Sequence, residues 1–489
     1  MTPGTTLARG ELAEKDLLAS RALIDGRWLS GDAKPIAVSD PFTQEQFAEV
    51  PGMGEAEANR AIDAAARAFP AWAGRPAQER GRILRRWFDL LQQHREDLAR
   101  LITRENGKTL KEARGEVDYG AGFIEFYAEE AARAHGETIP APMPGRRLLA
   151  EREPVGVCAA ITPWNFPLAM LTRKVGPALA AGCTVVAKPA SATPLTALAF
   201  AKLGEEAGVP AGVLNVVTGS ARAIGGAITA SHVVRKLSFT GSTEIGEQLY
   251  AQCAGTMKRL SLELGGNAPL LIFDDADLDT AVETAMIAKF RNSGQSCIAA
   301  NRIYVQHGIS ERFLAAFASR VNAMTAGDGF EDASDIGPLI DNDAVAKVAE
   351  HRDAALANGG RLLAGGNDLK GQLFQPTLIA DVGIDAQLAC EETFGPLAGV
   401  IGFATLEEGL KLANDTPFGL AAYLCAQDPQ IIARAARGLE SGMVGINTGL
   451  ISTPHAPFGG VKMSGLGREG SHHGLEEYLN VKYICHAGL

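Results

Sequence analysis

The sequence predicts an α/β protein built on parallel sheets that helices cover on both faces. Three observations predict this class. From residue 155 onward, short apolar runs alternate with helical patterns; the runs are apolar throughout; and 55 of the 489 residues are glycine. Fully apolar strands separated by helices are typical of a buried parallel sheet. Glycine at this density indicates many tight turns and close backbone approaches.

The chain before residue 155 has a different pattern. Residues 1–50 are predicted to form loops and short strands. From Glu55 to about Ala134, apolar residues recur three and four positions apart, as in EANRAIDAAARAF and in RGRILRRWFDLLQQHREDLARLITREN. This spacing predicts amphipathic helices.

Two series of short apolar runs follow and predict two α/β units. The first series comprises residues 155–161, 183–188, 214–217 and 236–239, and the second comprises residues 268–273, 302–305, 396–401, 421–425 and 443–446. Nucleotides bind such sheets at the carboxyl ends of the strands. The last stretch, GLEEYLNVKYICHAGL, alternates apolar and polar residues like an exposed strand, which favours pairing between subunits.

Composition excludes several classes of partner. The net charge of −11 argues against a general nucleic-acid or membrane-surface binder, which needs a basic face. No run approaches the roughly 18 apolar residues of a membrane span, and the N-terminus lacks the apolar core of a signal peptide. Seven cysteines without a CxxC pair predict a reduced, cytoplasmic protein. The histidines form no HExxH motif, so no metal site is expected.

The stretch FRNSGQSC (290–297) contains a candidate nucleophile. Its Gly and Ser residues leave the Cys297 thiol approachable by substrate and by backbone N–H groups. A thiol becomes a nucleophile when its pKa falls, for example beside such N–H groups. The alternative is a buried structural cysteine.

Two further stretches supply an amide and a carboxylate. TPWNFP (162–167) places Asn165 at a strand end, where its side-chain N–H could hold an oxyanion or only cap a helix. LELGGNAP (262–269) places Glu263 in an apolar run, where its pKa should be raised and it could serve as a general base. A purely structural carboxylate is the alternative there.

Three stretches at strand ends could contact a dinucleotide. KPASATP (188–194) offers Lys188 to a ribose or phosphate, and it has Ser191 where an acidic residue would repel a 2′-phosphate, which favours NADP or acceptance of both cofactors. SFTGSTEIG (238–246) is a strand, a glycine turn and a helix start without the full G-x-G-x-x-G pattern. EETFGP (391–396) offers Glu392 to ribose hydroxyls.

Taken together, these stretches and APFGG (456–460) occur in the order and spacing of the aldehyde dehydrogenase superfamily. The resemblance runs from about residue 22 to the end. Within the superfamily the chain most closely resembles bacterial succinate-semialdehyde dehydrogenases, through AMLTRKVGPALAAGC (169–183), KFRNSGQSC (289–297), NTGLISTPHAPFGG (447–460) and GLGREGS (465–471).

The resemblance implies a thioester mechanism. Cys297 would attack the aldehyde, the Asn165 amide and the Cys297 N–H would hold the oxyanion, and Glu263 would activate the hydrolytic water. It also implies NADP, with NAD accepted, as the cofactor. The implied cofactor-contacting positions are Thr162, Pro163, Trp164, Lys188, Pro189, Ala190, Ser191, Gly241, Ser242, Leu264, Glu392 and Phe394.

The resemblance also implies a substrate with a distal carboxylate. Arg173, Arg291 and Ser452 match the positions that hold this group in the subfamily; a structural salt bridge is the alternative for each arginine. Relatives often carry a second cysteine where this chain has Ala299, so no local disulfide switch is expected. His455 is not expected from the subfamily, and its loop borders the substrate entrance, so the preferred chain length of the substrate is undecided. Glutarate semialdehyde is therefore an alternative substrate, since one methylene changes binding in a pocket by only about 1–3 kcal/mol.

Other functions stay open on the sequence alone. They are a general aldehyde dehydrogenase, a CoA-acylating relative, against which Glu263 argues, and a non-catalytic binding or structural member. The resemblance implies an aldehyde dehydrogenase-like fold. In it a Rossmann-type cofactor domain would span residues 1–134 and 151–263, a catalytic α/β domain residues 264–465, and a small β oligomerisation arm residues 135–150 and 466–489. It also implies a homotetramer.

Overall fold

The computed structural model describes residues 8–31 and 33–488. The predicted absence of a signal peptide and the start of the first predicted domain rest partly on residues 1–7, which lie outside the described residues, as does residue 489 at the end of the predicted C-terminal strand.

The described strands are numbered in chain order. They are β1 Ala22–Ile24, β2 Arg27–Leu29, β3 Ala33–Ser39, β4 Gln46–Gly52, β5 Glu137–Ile139, β6 Arg146–Pro154, β7 Val157–Ile161, β8 Thr184–Lys188, β9 Leu214–Val216, β10 Val234–Thr240, β11 Arg259–Glu263, β12 Ala268–Ile272, β13 Ala300–Gln306, β14 Arg361–Ala364, β15 Thr377–Ala380, β16 Leu397–Phe403, β17 Ala421–Cys425, β18 Met443–Ile446, β19 Gly465–Leu466 and β20 Leu479–Ala487.

The α-helices are numbered in the same way. They are α1 Glu55–Ala73, α2 Ala77–Gln93, α3 Arg95–Asn106, α4 Leu110–Glu130, α5 Ala169–Ala181, α6 Leu195–Ala207, α7 Ala221–Ala230, α8 Thr243–Cys253, α9 Leu278–Phe290, α10 His307–Asn322, α11 Asn342–Ala357, α12 Gln387–Cys390, α13 Leu406–Asn414, α14 Pro429–Gly438 and α15 Ser471–Glu476. No helix among the described residues is long and apolar enough to cross a membrane.

The first sheet has the strand order β19-β11-β10-β7-β8-β9-β1-β2. Its central strands, β7 to β11, are parallel, and helices α5 to α8 connect them. Two of these helices end in left-handed glycines, Gly182 at φ 99° and Gly208 at φ 96°, as helix C-termini often do. The chain reverses its direction of strand addition between β7 and β10. Ligands bind α/β sheets outside the carboxyl ends of the strands at such a switch point.

The second sheet has the order β14-β15-β16-β13-β12-β17-β18 and is parallel except for the β14–β15 pair. The two predicted α/β units are therefore present, and every strand predicted in the two series falls within one or two residues of an observed one or inside it. The predicted C-terminal strand begins later than its stretch does, because residues 474–476 belong to helix α15. The first sheet also contains β1 and β2 from the N-terminal segment and the short β19 from near the C-terminus, which lie at its edges.

A third sheet, of order β20-β6-β5, lies outside the two α/β units. Strand β20 pairs antiparallel with β6 along its whole length, from Leu479 opposite Pro154 to Ala487 opposite Arg146. Large apolar side chains remain exposed on it, with Val481 at 58% and Tyr483 at 61%. The C-terminal segment is thus a strand with exposed apolar residues, as its alternating pattern predicts.

Helix α1 packs on the first sheet, and helices α2 to α4 pack on α5 and α6, which cover that sheet. Trp72 and Trp87 are fully buried there, and the Trp87 ring stacks on Phe200 of α6 with centroids 4.1 Å apart. The segment that joins α3 to α4 contributes to the candidate site. Its buried Lys108 reaches the loop that follows β7.

Candidate active site

The loop after β7 brings Asn165 to the carboxyl edge of the first sheet. Asn165 is 5% exposed, and its Nδ2 donates a hydrogen bond of 3.1 Å to the backbone carbonyl of Gln295, in the loop that carries Cys297. One of its two amide hydrogens is thus engaged. The side-chain oxygen accepts no hydrogen bond from the described residues.

The tight turn before Cys297 has an unusual backbone conformation. Asn292 and Ser293 both adopt left-handed conformations at φ 55°, followed by Gly294 at φ 72°. A Cβ on Gly294 would lie 2.2 Å from the carbonyl oxygen of Gly395, so only glycine fits. Consecutive left-handed residues cost free energy and persist where the surroundings hold them. The Ser-Gly-Gln-Ser stretch therefore forms the compact backbone turn that its composition predicts.

Buried side chains hold this turn in place. The Asn292 N–H donates to Glu112 Oε1 at 2.6 Å, and Asn292 Nδ2 donates to the carbonyls of Asn165 and Gln295 at 3.0 Å each. Ser293 Oγ donates to the carbonyl of Gly337 at 2.9 Å. The loops bearing Asn165 and Cys297 are therefore joined as one unit.

Cys297 lines a small cavity that is partly open to solvent. Burial raises the pKa of its thiol to about 12; the nearby carboxylates of Glu392 and Glu263 act in the same direction, and Arg173 opposes them. A nucleophilic thiol needs a lowered pKa. The free protein shows the opposite direction, because Cys297 is partly buried and two acids lie near its sulfur. The thiol is protonated at neutral pH in the free protein.

The raised pKa gives a prediction for thiol alkylation. Iodoacetamide should inactivate the protein at a rate that rises about tenfold per pH unit from pH 7 to about 9.5, because only the thiolate reacts and its fraction grows tenfold per unit below the pKa. The readout is loss of the aldehyde-oxidising activity that the resemblance implies, so reaction at the exposed Cys390 and Cys485 does not interfere unless it inactivates. A rate that levels off below pH 9 would contradict the assignment.

Glu263 is the last residue of β11 and is 2% exposed. Neither of its carboxylate oxygens has a hydrogen-bond partner in the described part of the chain. Burial, and then the charge of Glu469, raise its pKa well above the ordinary value. The direction agrees with the sequence prediction, and an unpartnered buried carboxyl beside a cavity is suited to exchanging a proton with a reactant.

Sequence reasoning gave no role to Glu469, which links several groups of the site. Its carboxylate contacts Lys174 Nζ, lies 2.9 Å from Arg173 Nε and accepts from Ser238 Oγ at 3.3 Å. Lys174 Nζ also donates to Thr240 Oγ1 at 2.7 Å. The only signal in the sequence was its place in GLGREGS, and nothing local shows that the chain folds back to this point.

The three predicted substrate residues all line the same cavity as Cys297. Arg173 of α5, Arg291 of the turn after α9 and Ser452 of the loop after β18 reach it from three elements. The remaining lining residues are Tyr119, Phe166, Met170, Ser296, Ile298 and Phe458. The cavity therefore combines a thiol, two guanidinium groups and three hydroxyls within largely aromatic and apolar walls.

A buried ion pair supports the Asn165 loop and was missed by sequence reasoning. Lys108 Nζ lies 2.6 Å from Glu116 Oε2, with both side chains at most 1% exposed, and it also donates to the Asn165 carbonyl at 2.8 Å. Glu116 Oε1 accepts the N–H groups of Leu168 and Ala169 at 2.9 and 3.3 Å, at the start of α5. The pair thus holds both the amide loop and the helix that carries Arg173.

The predicted cofactor residues share the carboxyl edge of the first sheet. Thr162 follows β7, Lys188 ends β8, Gly241 and Ser242 follow β10, and Leu264 follows β11. Pro163, Pro189, Ala190 and the exposed Ser191 belong to the same loops. The Trp164 ring meets the Phe394 ring edge-on at 5.6 Å, which brings the EETFGP loop to the same place.

Three observations at this edge fit a dinucleotide. Lys188 is 4% exposed, donates only to the adjacent Pro189 carbonyl among the described residues, and has its pKa lowered to about 8 by burial. The N-terminus of α8 has no side-chain cap at Ser242, which leaves its N–H groups for a phosphate. Glu392 accepts from the Gly266 N–H at 3.3 Å, and burial raises its pKa to about 7.

His455, which departs from the subfamily, lies at the outer side of the Ser452 loop. It is exposed, its ring meets the Phe126 ring at 5.3 Å, and its Nδ1 lies 3.2 Å from Thr453 Oγ1. His455 does not line the cavity with Cys297.

Comparison with known proteins agrees with this geometry. The chain is 55% identical to a glutarate-semialdehyde dehydrogenase of Pseudomonas putida KT2440 over 97% of this chain and 99% of that one. It is 54% identical to the NADP(+) succinate-semialdehyde dehydrogenase GabD of Escherichia coli K12 over 97% and 99%. It is 53% identical to a 3-sulfolactaldehyde dehydrogenase of Pseudomonas putida over 98% and 99%.

A solved structure and a family model complete the comparison. The crystal structure of an NADP-dependent enzyme from Escherichia coli matches with a TM-score of 0.97 at 54% identity, covering 98% of this chain and all of that one. The model of the aldehyde dehydrogenase family matches residues 28–484. The resemblance and the fold class predicted from the sequence are therefore confirmed. The chain belongs to the aldehyde dehydrogenase family.

Proposed function

We propose that the protein oxidises succinate semialdehyde to succinate with NADP through a thioester on Cys297. The observation that carries this proposal is the cavity in which Cys297 lies together with Arg173, Arg291 and Ser452. A thiol nucleophile and a pair of guanidinium groups in one cavity suit an aldehyde that bears an anion at its far end.

The names of the relatives support the same substrate class. Succinate semialdehyde, glutarate semialdehyde and 3-sulfolactaldehyde are all aldehydes with an anionic group at the end remote from the aldehyde carbon. Glutarate semialdehyde is the alternative substrate, because it differs by one methylene and the relative named for it is as similar to this chain as the one named for succinate semialdehyde.

We assign the chemical steps to three residues. Cys297 Sγ attacks the aldehyde carbon, and the Asn165 side-chain amide and the Cys297 N–H stabilise the oxyanion. No other residue in the described part of the chain accepts a hydrogen bond from that backbone N–H, so it is available to the substrate oxygen. Glu263, whose carboxylate oxygens are unpartnered among the described residues, takes the proton from the water that hydrolyses the thioester.

The cofactor is assigned to the carboxyl edge of the first sheet. Lys188 and Ser191 would meet the adenosine ribose and its 2′-phosphate, the N-terminus of α8 the pyrophosphate, and Glu392 the nicotinamide ribose. When bound, the cofactor supplies a hydride acceptor and a positively charged ring. Beside that charge, the raised pKa values of Cys297 and Glu263 fall toward neutrality, which favours their ionised, reactive forms.

The preference for NADP rests on Ser191. An acidic side chain at this position would repel a 2′-phosphate, whereas the exposed Ser191 hydroxyl can donate to one. The relative from Escherichia coli named for NADP(+) supports this assignment. NAD, which lacks the 2′-phosphate, would bind through the remaining contacts, and its kcat/KM would be lower than that of NADP.

A substrate panel tests the proposal. Succinate semialdehyde, glutarate semialdehyde and butanal are each assayed with NADP and NAD by nicotinamide absorbance. In the Arg291→Ala variant, we expect KM for succinate semialdehyde to rise at least about 30-fold, since a charge-assisted hydrogen bond to a carboxylate is worth roughly 2 kcal/mol or more. KM for butanal should change little.

The matched control is Arg312→Ala, at an exposed arginine of α10. It should leave all constants unchanged. Equal effects of Arg291→Ala on succinate semialdehyde and butanal would show that Arg291 is structural and that the protein is a general aldehyde dehydrogenase.

We propose the predicted domain division and a homotetramer as the architecture. The first and second sheets support separate cofactor and catalytic domains, and the third sheet supports an oligomerisation arm. The exposed Val481 and Tyr483 of β20 and the exposed Ile139 of β5 belong to that sheet and would be covered by a second copy. The cytoplasmic location inferred from the cysteine pattern stays a prediction.

A further inference from the structure

The loop of residues 391–396 (the Glu392 loop) carries two predicted cofactor residues on a constrained backbone. Phe394 adopts a left-handed conformation at φ 58°. A Cβ on the next residue, Gly395, would lie 2.4 Å from Val348 Cγ2, so the loop packs tightly on α11. A non-glycine residue in this conformation costs free energy and persists where its surroundings hold it. The residues packed behind the loop therefore determine where the Glu392 carboxylate lies.

Asn301, in β13, holds the first residue of the Glu392 loop. It is 3% exposed, and its Nδ2 donates to the carbonyl of Glu391 at 2.7 Å and to Asn267 Oδ1 at 2.8 Å. Asn267 Nδ2 donates in turn to the carbonyl of Ala389 at 3.0 Å. Two buried amides thus tie the chain before Glu392 to the starts of β12 and β13.

A buried lysine anchors Asn301. Lys289, in the last turn of α9, is 1% exposed, and among the described residues its Nζ donates only to Asn301 Oδ1, at 3.4 Å. An ammonium group has three hydrogens and is costly to bury with so few acceptors. Burial lowers the pKa of Lys289 to about 7, and the nearby carboxylate of Glu392 opposes this shift. Lys289 does not line the cavity with Cys297, and the chemical steps assigned above leave it without a role.

His351, in α11, holds the residue that follows Glu392. It is 1% exposed, its Nδ1 lies 3.1 Å from Thr393 Oγ1, and its Nε2 lies 3.6 Å from Glu391 Oε2. Burial lowers the pKa of this imidazole, so it is neutral at neutral pH. His351 and Asn301 therefore contact the residues on the two sides of Glu392.

The carboxylate of Glu392 faces the start of α8. A Cβ on Gly265 would lie 3.2 Å from both Glu392 Oε2 and Thr243 Oγ1, so both oxygens lie over Gly265. Thr243 is the first residue of α8, and its hydroxyl oxygen is buried without a partner in the described part of the chain. In a dinucleotide the nicotinamide ribose is joined directly to the pyrophosphate, which the N-terminus of α8 is suited to bind. This geometry suits Glu392 as the acceptor of ribose hydroxyls.

We propose that Lys289, Asn301 and His351 are positioning residues for the cofactor, because they hold the Glu392 loop where its carboxylate meets the nicotinamide ribose. This inference rests on the cofactor assignment in the proposed function and is independent of which aldehyde is the substrate. None of the three residues lines the cavity with Cys297, so changing them should weaken cofactor binding and leave the aldehyde site intact.

The first experiment compares two ligands by calorimetric titration of the protein without aldehyde. NADP contains the nicotinamide ribose, whereas adenosine 2′,5′-bisphosphate lacks it. In Lys289→Met, which keeps an apolar stem and removes the ammonium group, we expect Kd for NADP to rise about tenfold, as when hydrogen bonds to a charged group are weakened. Kd for the bisphosphate should stay the same. Equal weakening of both ligands, or of neither, would overturn the inference.

Two replacements of His351 test the contact with Thr393. His351→Leu removes the ring nitrogen, whereas His351→Asn puts an amide oxygen close to the place of Nδ1. We expect the ratio of Kd for NADP to Kd for the bisphosphate to rise in His351→Leu and to return toward the original value in His351→Asn. The same ratio in both variants would overturn the role of His351.

Glu392→Ala distinguishes failure of this inference from failure of the cofactor assignment. If Glu392 meets the nicotinamide ribose, Glu392→Ala alone should raise the ratio. If Lys289 acts through Glu392, adding Lys289→Met to this variant should raise the ratio no further, because residues that act together are not additive. Additive effects would overturn the positioning role alone. An unchanged ratio in Glu392→Ala would overturn the cofactor assignment itself.

The matched control is Lys411→Met, at an exposed lysine of α13 in the same α/β unit. It removes the same charged group away from the Glu392 loop and should leave both dissociation constants unchanged. A rise in the ratio as large as that of Lys289→Met would show that the net charge of the protein causes the effect and would overturn the inference.

Discussion

Replacing Cys297 by Ala should lower the turnover of every aldehyde by at least about 10⁴-fold, as loss of the nucleophile does in other covalent enzymes. Cys297 is the only cysteine in the described part of the chain that lines the cavity with Arg173 and Arg291. No neighbouring cysteine can replace it, because position 299 is Ala. The measurement is single-turnover and steady-state formation of NADPH.

Binding should survive this substitution. The variant keeps Arg173, Arg291 and Ser452, so succinate semialdehyde should still bind, as measured by its protection against thermal unfolding. Cys485→Ala, at an exposed cysteine of β20, is the control and should retain full activity. Substantial residual turnover by Cys297→Ala would show that another group attacks the aldehyde.

Replacing Lys108 by Met should destabilise the fold by roughly 3–5 kcal/mol, because it leaves the Glu116 carboxylate buried without its countercharge. Lys108 and Glu116 are at most 1% exposed, so neither can turn to water without local unfolding. The Asn165 carbonyl also loses its 2.8 Å hydrogen bond from Lys108 Nζ. A large drop in the thermal midpoint and a lower kcat should therefore appear together.

Two further variants separate charge from packing. Glu116→Gln in the Lys108→Met background removes the uncompensated charge, so the double variant should be more stable than Lys108→Met alone. Lys111→Met, at an exposed lysine of α4 three positions after Lys108, should change stability by less than about 0.5 kcal/mol. If Lys111→Met and Lys108→Met were equally destabilising, the buried pair would have no special part in stability.

The elements of the fold followed from local patterns in the sequence. Apolar runs such as residues 155–161 and 421–425 could only be buried strands at that spacing, and they are β7 and β17. The candidate site was found because its residues stand at the ends of these strands or beside glycines, where chemistry-bearing side chains are not needed for packing. Asn165, Glu263 and Lys188 are examples.

What sequence could not give was the environment of charged residues inside helical patterns. The segment containing Lys108, Glu112 and Glu116 has the composition of a solvated helix face, yet all three approach the Asn165 and Cys297 loops. The same is true of Glu469, whose partners Arg173 and Lys174 lie nearly 300 positions earlier. The raised pKa of Cys297 has the same kind of origin, because the acids beside its sulfur, Glu263 and Glu392, come from distant segments of the chain.

Because Glu469 lies near the C-terminus, the candidate active site can form only after almost the whole chain has been synthesised. Arg173 and Lys174 lie in the first half of the chain, but their shared counterion, the cavity residue Phe458 and the edge strand β19 all come from the last tenth of it. Until this last segment has been synthesised, Arg173 and Lys174 of α5 lack the carboxylate of Glu469. Such long-range closure is slow. We therefore expect the chain to gain activity toward aldehydes only after its last segment has folded back onto the first sheet.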